Sequence, residues 1–270
     1  MMWIEGATMK TIYICEDSVT GMLSAIYDAW MESRDKEAGI GLKECLEQQL
    51  FCEYKEVEVS ERKAGAVVRL IRKYLGDETY RDFYQALLSE DPEKADAVFR
   101  VMQSARSVKD SRKIMEHLSD PAVEKVFSLS RQVGNEAHRF LEFVRFRELK
   151  NGVLFSEIVP KNRILSCIAD HFSDRFPLEN WMICDKRHNE CVIHRVRYHW
   201  VLVKDREWDQ EIRERFSESE KEFARLWTGF FDSISIPERE NRMCQMNHLP
   251  LRYRAEMTEF QGKPVFEKSS

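Results

Sequence analysis

The sequence predicts an α+β protein whose core is an antiparallel sheet made of two β-hairpins with a helix between them, a ββαββ order. Three observations carry this. Lys150-Asn151-Gly152 separates two β-rich runs, 141–149 and 153–159, and Asn-Gly between such runs is a strong hairpin signal. Residues 162–176 place Ile164, Leu165, Ile168, Phe172 and Phe176 at helical spacing. Residues 181–185 and 191–196 then flank a polar turn, forming a second hairpin. Hairpin, helix, hairpin implies a helix packed on one face of a sheet.

The elements before this core follow in order. Residues 11–15 are β-rich and form the first strand. Asp17-Ser18 supply N-cap chemistry for a helix through about Ser33, with Met22, Leu23, Ile26, Tyr27 and Trp30 on its apolar face. A second helix is expected around 42–51, then a strand at 55–59 where charged and apolar residues alternate. Ser60 opens a helix bearing Val67, Val68, Leu70, Ile71, Tyr74 and Leu75, and Gly76 stops it. This is an N-terminal βααβα segment. Helices follow at 78–89, 92–103, 111–118 and 121–140, the last opened by Asp120-Pro121 with Pro at the first helical position. Beyond the hairpins, 206–230 is a charged amphipathic helix and 237–270 is irregular with a short helix.

The expected organisation is an N-terminal extension (1–8, with Met9-Lys10 as an alternative start), an α/β segment (9–76), a helical lobe (77–120), a core domain (121–256) and a tail (257–270). The strands at Thr11 and Lys55 are expected to join the hairpins in one continuous sheet.

Composition narrows the function classes. Hydrophobic residues are 43% of the 270, with sixteen Phe and six Trp, enough for a packed core and too many for global disorder. Charged residues are 33% with both signs interspersed, and the net charge is −5. A chain that coats DNA nonspecifically is strongly basic, so nucleic-acid contact here needs a local basic patch. There is no apolar run of about eighteen residues, so no membrane span is expected, and the first residues do not read as a signal peptide. Seven cysteines without disulfide-scaffold spacing read as reduced thiols of a cytoplasmic protein.

The richest chemical constellation is basic. His138, Arg139, Arg145 and Arg147 belong to the first helix and strand of the core; Lys186, Arg187, His194, Arg195, Arg197 and His199 belong to the second hairpin. Arg145 and Arg147 share a strand face by the two-residue alternation, as do Arg195 and Arg197 if that strand continues past 196. Arg presents a planar fork matched to phosphate, and Phe143, Phe146, Trp181, Tyr198 and Trp200 offer rings on which unpaired bases stack. The alternative is a solvated face whose cations pair with Glu142, Glu148 and Glu157. Arg239 adds a further cation in the C-terminal segment.

For catalysis, His138 is the candidate acid/base, with Glu136 or Asp185 as its carboxylate; the alternative is a structural His between helix and sheet. Cys184, His188, Cys191 and His194 are four metal-type ligands within eleven residues, but they lack Cys-x-x-Cys or finger spacing, and strand cysteines are by default buried apolar groups. No metal or cofactor is expected. Phosphate-loop, dinucleotide, nucleophile-elbow, zinc-deaminase and radical-SAM cluster motifs are all absent from the sequence.

Four segments resemble a known family. "YICEDSVTGMLSAIYDAW" is similar to its amino-terminal strand and helix, and "GNEAHRFLEFVRFRELKNGVLFSEI" to its central block. "LENWMICDKRHNECVIH" is similar to its Trp-initiated hairpin, and "LWTGFFDSISIPERENRMCQMNHLPLRY" to its carboxy-terminal signature. The chain thus resembles the bacterial "probable DNA metabolism protein" family over about residues 11–253. The resemblance implies a role in DNA repair or DNA metabolism, beside a radical-SAM protein assigned to DNA repair; taken with the basic and aromatic residues of the hairpins, it makes single-stranded or damaged DNA the expected ligand. Related domains occur fused to uracil-DNA glycosylase-like domains. Here Ser235-Ile236-Pro237-Glu238-Arg239 stands where the family carries Phe-Asn-Pro-Ala-Arg, and Arg252-Tyr253-Arg254 where it carries Arg-Tyr-Trp.

Overall fold

A computed structural model describes residues 9–32, 37–45, 50–204, 216–233, 246, 248–254 and 257–260. The chain divides into two compact units, Met1–Gly134 and Asn135–Ser270. No described helix is long and apolar enough to cross a membrane.

The first unit holds a three-stranded parallel sheet in the order β2-β1-β3, from β1 (Lys10–Cys15), β2 (Ala38–Leu42) and β3 (Cys52–Glu56). Around it lie α1 (Val19–Glu32), α2 (Glu61–Tyr74), α3 (Asp77–Leu87) and α4 (Lys94–Ser104), then a 3-10 turn at Ser111–Glu116. The core is the shared apolar face of these elements, with Met22, Ile26, Ile71, Phe83, Phe99 and Val126 at its centre. Ser60 caps α2 by accepting the Lys63 N–H, as its position before the apolar run predicts. Lys94 is buried, and its Nζ lies 2.6 Å from Asp17 Oδ1 and 2.6 Å from the Ser89 carbonyl oxygen. That ammonium is tolerated inside because both its partners are oxygen acceptors.

Two expectations are corrected in this unit. Strand β2 occupies Ala38–Leu42, and the helix expected at 42–51 is instead a 3-10 turn at Lys43–Cys45 leading towards β3, with 46–49 outside the described residues. Glycines at 39 and 41 dilute the strand signal. Gly39 sits in a tight place: a Cβ there would lie 3.1 Å from Lys10 Cε and 3.3 Å from Asp96 Oδ1. The strand expected at 55–59 begins earlier, at Cys52.

Helix α5 (Pro121–Phe143) runs from the first unit into the second. The second unit holds a separate five-stranded sheet, so the expected single continuous sheet is not formed. Its strands are β4 (Arg147–Glu148), β5 (Leu154–Ile158), β6 (Trp181–Asp185), β7 (Glu190–His194) and β8 (Val201–Lys204), in sequence order across the sheet. The α+β class and the ββαββ order hold, with β8 added. Both hairpins form, β4 pairing β5 and β6 pairing β7, each antiparallel, but the first arm is shorter than the expected run 141–149 because α5 continues to Phe143. Gly152 takes φ 77° in the first turn. The sheet is nevertheless mixed, because β5 and β6 pair in parallel. Helix α6 (Leu165–Arg175) is a crossover, and a strand–helix–strand crossover brings its strands side by side in the same direction.

Helix α6 covers one face of this sheet. Phe172 meets Trp181 edge-on, and Trp181 stacks on His194 at 5.1 Å and 13°. The other face carries Phe155, Cys184 and Cys191, packed with Leu149 and Phe216. Helix α7 (Glu218–Ser233) and two short turns, Leu251–Arg254 and Thr258–Phe260, complete the described part.

Candidate nucleic-acid interface

The basic residues proposed from sequence fall into three groups with different surroundings. The first group is tied inward. Arg145 precedes β4 rather than lying on it, because α5 continues to Phe143. Its Nη1 donates to the carbonyls of Glu142 (2.8 Å) and Val144 (3.3 Å), the acceptor-rich end of α5. Its Nη2 donates to Glu259 Oε1 at 3.2 Å. Glu259 is itself buried, so this carboxylate depends on the guanidinium for its charge balance. Arg147 has a side chain only 12% exposed; its Nη2 lies 3.8 Å from Glu157 Oε2 and its guanidinium 4.1 Å from the Phe216 ring centre. Neither presents an open fork to a phosphate. The expected convergence of Arg145 and Arg147 with the second hairpin on one open face is therefore corrected: buried Glu259 holds Arg145, and half-buried Glu157 lies beside Arg147.

The second group lies in the β6–β7 turn. Arg187 is exposed and Lys186 half-buried. Asp185 organises this turn: its Oδ1 accepts the N–H of Arg187 (2.9 Å) and of His188 (3.2 Å), and its Oδ2 accepts His188 Nδ1–H at 2.5 Å. Asp185 is fully buried and meets its three donors there.

The third group is the β7–β8 loop, residues 195–200. Arg195, Arg197, Tyr198 and His199 are all exposed, Tyr198 by 64%. The Arg195 guanidinium lies 5.3 Å from the Tyr198 ring centre. The loop is held by named bonds. Val196 N–H donates to Asn180 Oδ1 (3.1 Å), Tyr198 N–H to the Arg195 carbonyl (2.9 Å), and Trp200 Nε1–H to Asp170 Oδ1 (2.6 Å). Arg197 adopts φ 68°, an uncommon conformation for a side chain with a Cβ, which turns the chain between strands. Strand β7 separates this loop from the β6–β7 turn by five residues, about 17 Å at the usual rise. The cations of the second hairpin thus form two separate groups, one at each end of the sheet. Arg139 is exposed on α5. Arg239 lies outside the described residues.

The candidate acid/base groups do not converge. The His138 side chain is 76% exposed and lies 3.8 Å from Glu142. Glu136 faces inward, as a spacing of two on a helix requires. Its carboxylate accepts Lys161 N–H (3.0 Å), Asn162 N–H (2.9 Å) and Asn162 Nδ2–H (2.7 Å), and Arg252 Nη2 lies at 3.5 Å. It anchors the loop between β5 and α6. The four metal-type residues divide between the two faces of the sheet. Cys184 and Cys191 face Phe155 and Phe216, while His194 stacks on Trp181 with Nδ1 3.0 Å from the Glu179 carbonyl, and His188 is bound to Asp185. One ion cannot touch all four.

Asn180 and Asp170, which hold the exposed loop, were not singled out from sequence; they lie 16 and 30 residues from the groups they bind. His188 was weighed there only as a metal ligand. An Asp three residues before a His across a tight turn is the local pattern that exposes its pairing.

No curated protein matches the chain. A family model described as a domain of unknown function, DUF4130, matches residues 92–259. The chain belongs to that family of domains of unknown function.

Proposed function

We propose that the second unit is a nucleic-acid-binding module that takes unpaired bases and their phosphates on the loop 195–200, in an accessory role in DNA metabolism. The supporting observation is that Arg195, Arg197, Tyr198 and His199 are exposed together on a loop braced by Asn180 and Asp170. Two guanidinium groups supply phosphate contacts and Tyr198 supplies a stacking face, the combination single-strand binders use. Bracing reduces the ordering entropy that binding costs. Val201, 55% exposed, follows the loop directly and adds apolar contact area. Single-stranded or damaged DNA is the ligand that the exposed cations and ring favour, and the family resemblance favours a radical-SAM protein assigned to DNA repair as the partner.

The test is fluorescence anisotropy with a labelled single-stranded oligonucleotide at low salt. The triple variant Arg195→Ala, Arg197→Ala, Tyr198→Ala is expected to lose at least tenfold in affinity, since stacking alone contributes about 1–3 kcal/mol per base. Arg139→Ala and Arg187→Ala, which stand on other elements, are expected to change it little. Equal binding by the triple variant sinks the proposal.

A further inference from the structure

We propose that Cys184 and Cys191 form a redox site that a hydroperoxide closes to a cross-strand disulfide. The two residues are register partners on the antiparallel strands β6 and β7, and their sulfurs lie 3.2 Å apart, the Cys184 thiol donating to Cys191 Sγ. Both are thiols in this structure. Opposed residues on antiparallel strands have Cα separations of about 4.5–5.5 Å, inside the range of about 4.4–6.8 Å that a disulfide spans. The sulfurs need to approach by roughly 1 Å to reach the covalent distance of about 2.05 Å. A side-chain rotation supplies that without moving the strands.

Both thiols are fully buried, enclosed by Phe155 and Phe216 with Met182 and Ile193 beside them. That apolar pocket excludes bulky disulfide reagents and admits a small neutral oxidant when its cover opens. Phe216 is that cover: it bridges Leu149 beside the two-residue edge strand β4, and Ser217 N–H donates to the Glu148 carbonyl at 3.1 Å, so the oxidant enters by local opening at this sheet edge.

The step balances. One sulfur attacks the O–O bond of the hydroperoxide; the bond breaks, the sulfur becomes a sulfenic acid, and the thiol's proton passes to the remaining oxygen, which leaves as water or an alcohol. The second sulfur displaces hydroxide from the sulfenic acid, the S–S bond forms, and the second thiol's proton leaves with the hydroxide as water. Two thiols are oxidised by two electrons and one peroxide is reduced.

The test is hydrogen peroxide treatment of the folded full chain, followed by alkylation and peptide mass mapping. The expected result is a linked pair of peptides carrying Cys184 and Cys191, lighter by two hydrogen atoms, formed in preference to any link to the exposed Cys45. Cys191→Ser is expected to leave Cys184 as a trappable sulfenic acid, and Phe216→Ala to speed linkage severalfold. Persistence of both thiols under conditions that oxidise Cys45 overturns the proposal, as does linkage of either to a different cysteine. The outcome does not depend on nucleic-acid binding.

Discussion

Replacing Glu136 with Ala tests whether this carboxylate is an anchor. Glu136 is 4% exposed and accepts three N–H groups from Lys161 and Asn162. Its loss leaves the two donors of Asn162, itself 6% exposed, without acceptors. Each such buried donor costs about 1–3 kcal/mol. The Lys161 N–H is at the edge of the loop, where water can replace the carboxylate. Arg252 lies at 3.5 Å with its side chain 49% exposed, and an ion pair so exposed contributes little. The expected loss is about 4 kcal/mol, a large part of a typical stability of about 5–15 kcal/mol. Glu136→Gln keeps one acceptor oxygen and is expected to fall between. Urea denaturation followed by far-UV circular dichroism measures all three proteins. His138→Ala, at an exposed neighbouring position, is expected to stay within about 0.5 kcal/mol. A Glu136→Ala protein as stable as wild type refutes the anchoring role.

Two further outcomes follow from the first unit. Lys94→Met strips the cation from Asp17 and the donor from the Ser89 carbonyl; thermal unfolding is expected to show a loss of about 3 kcal/mol, partly restored in the double variant with Asp17→Asn, and a neutral single variant contradicts the pairing. Asp120 caps α5: its Oδ2 accepts the Ser104 hydroxyl at 2.6 Å and its Oδ1 the Ala122 N–H at 2.8 Å. The Ser104 hydroxyl, then the Ala122 and Val123 N–H groups, hold its carboxyl below the usual carboxylate range. With the folded pKa depressed, the stability it adds is present above the unfolded carboxylate pKa and is lost as pH falls through the folded value. Asp120→Ala is therefore expected to cost about 1 kcal/mol at neutral pH and progressively less under acid; a cost that grows on acidification contradicts this.

The contrast between elements shows what sequence reveals. Residues 162–176 and the Asn151-Gly152 turn declare themselves through period and turn chemistry, which are local. The parallel pairing of β5 with β6 was also implicit, since a helix between two strands of one sheet is a crossover. Strand β2 hid behind Gly39 and Gly41, the first of which sits close against Lys10 and Asp96. The neutralisation of Arg145 was not legible: Glu259 lies 114 residues away, and no local pattern marks it. Arg195 and Arg197 were picked for phosphate affinity, which residue type encodes; their separation from Lys186 and Arg187 follows only once β7 is placed between them. Charge is readable residue by residue, whereas convergence of charge depends on the whole fold.

The central claim, that the loop 195–200 meets phosphates while Arg145 does not, is tested most directly by the salt dependence of single-strand binding. Each phosphate contact contributes about 0.7 to the slope of log affinity against log salt for single strands. The slope of Arg195→Ala, Arg197→Ala is predicted to be shallower than wild type by about 1.4, and that of Arg145→Gln to be unchanged. A wild-type slope in the double variant, or a shallower one in Arg145→Gln, contradicts the account.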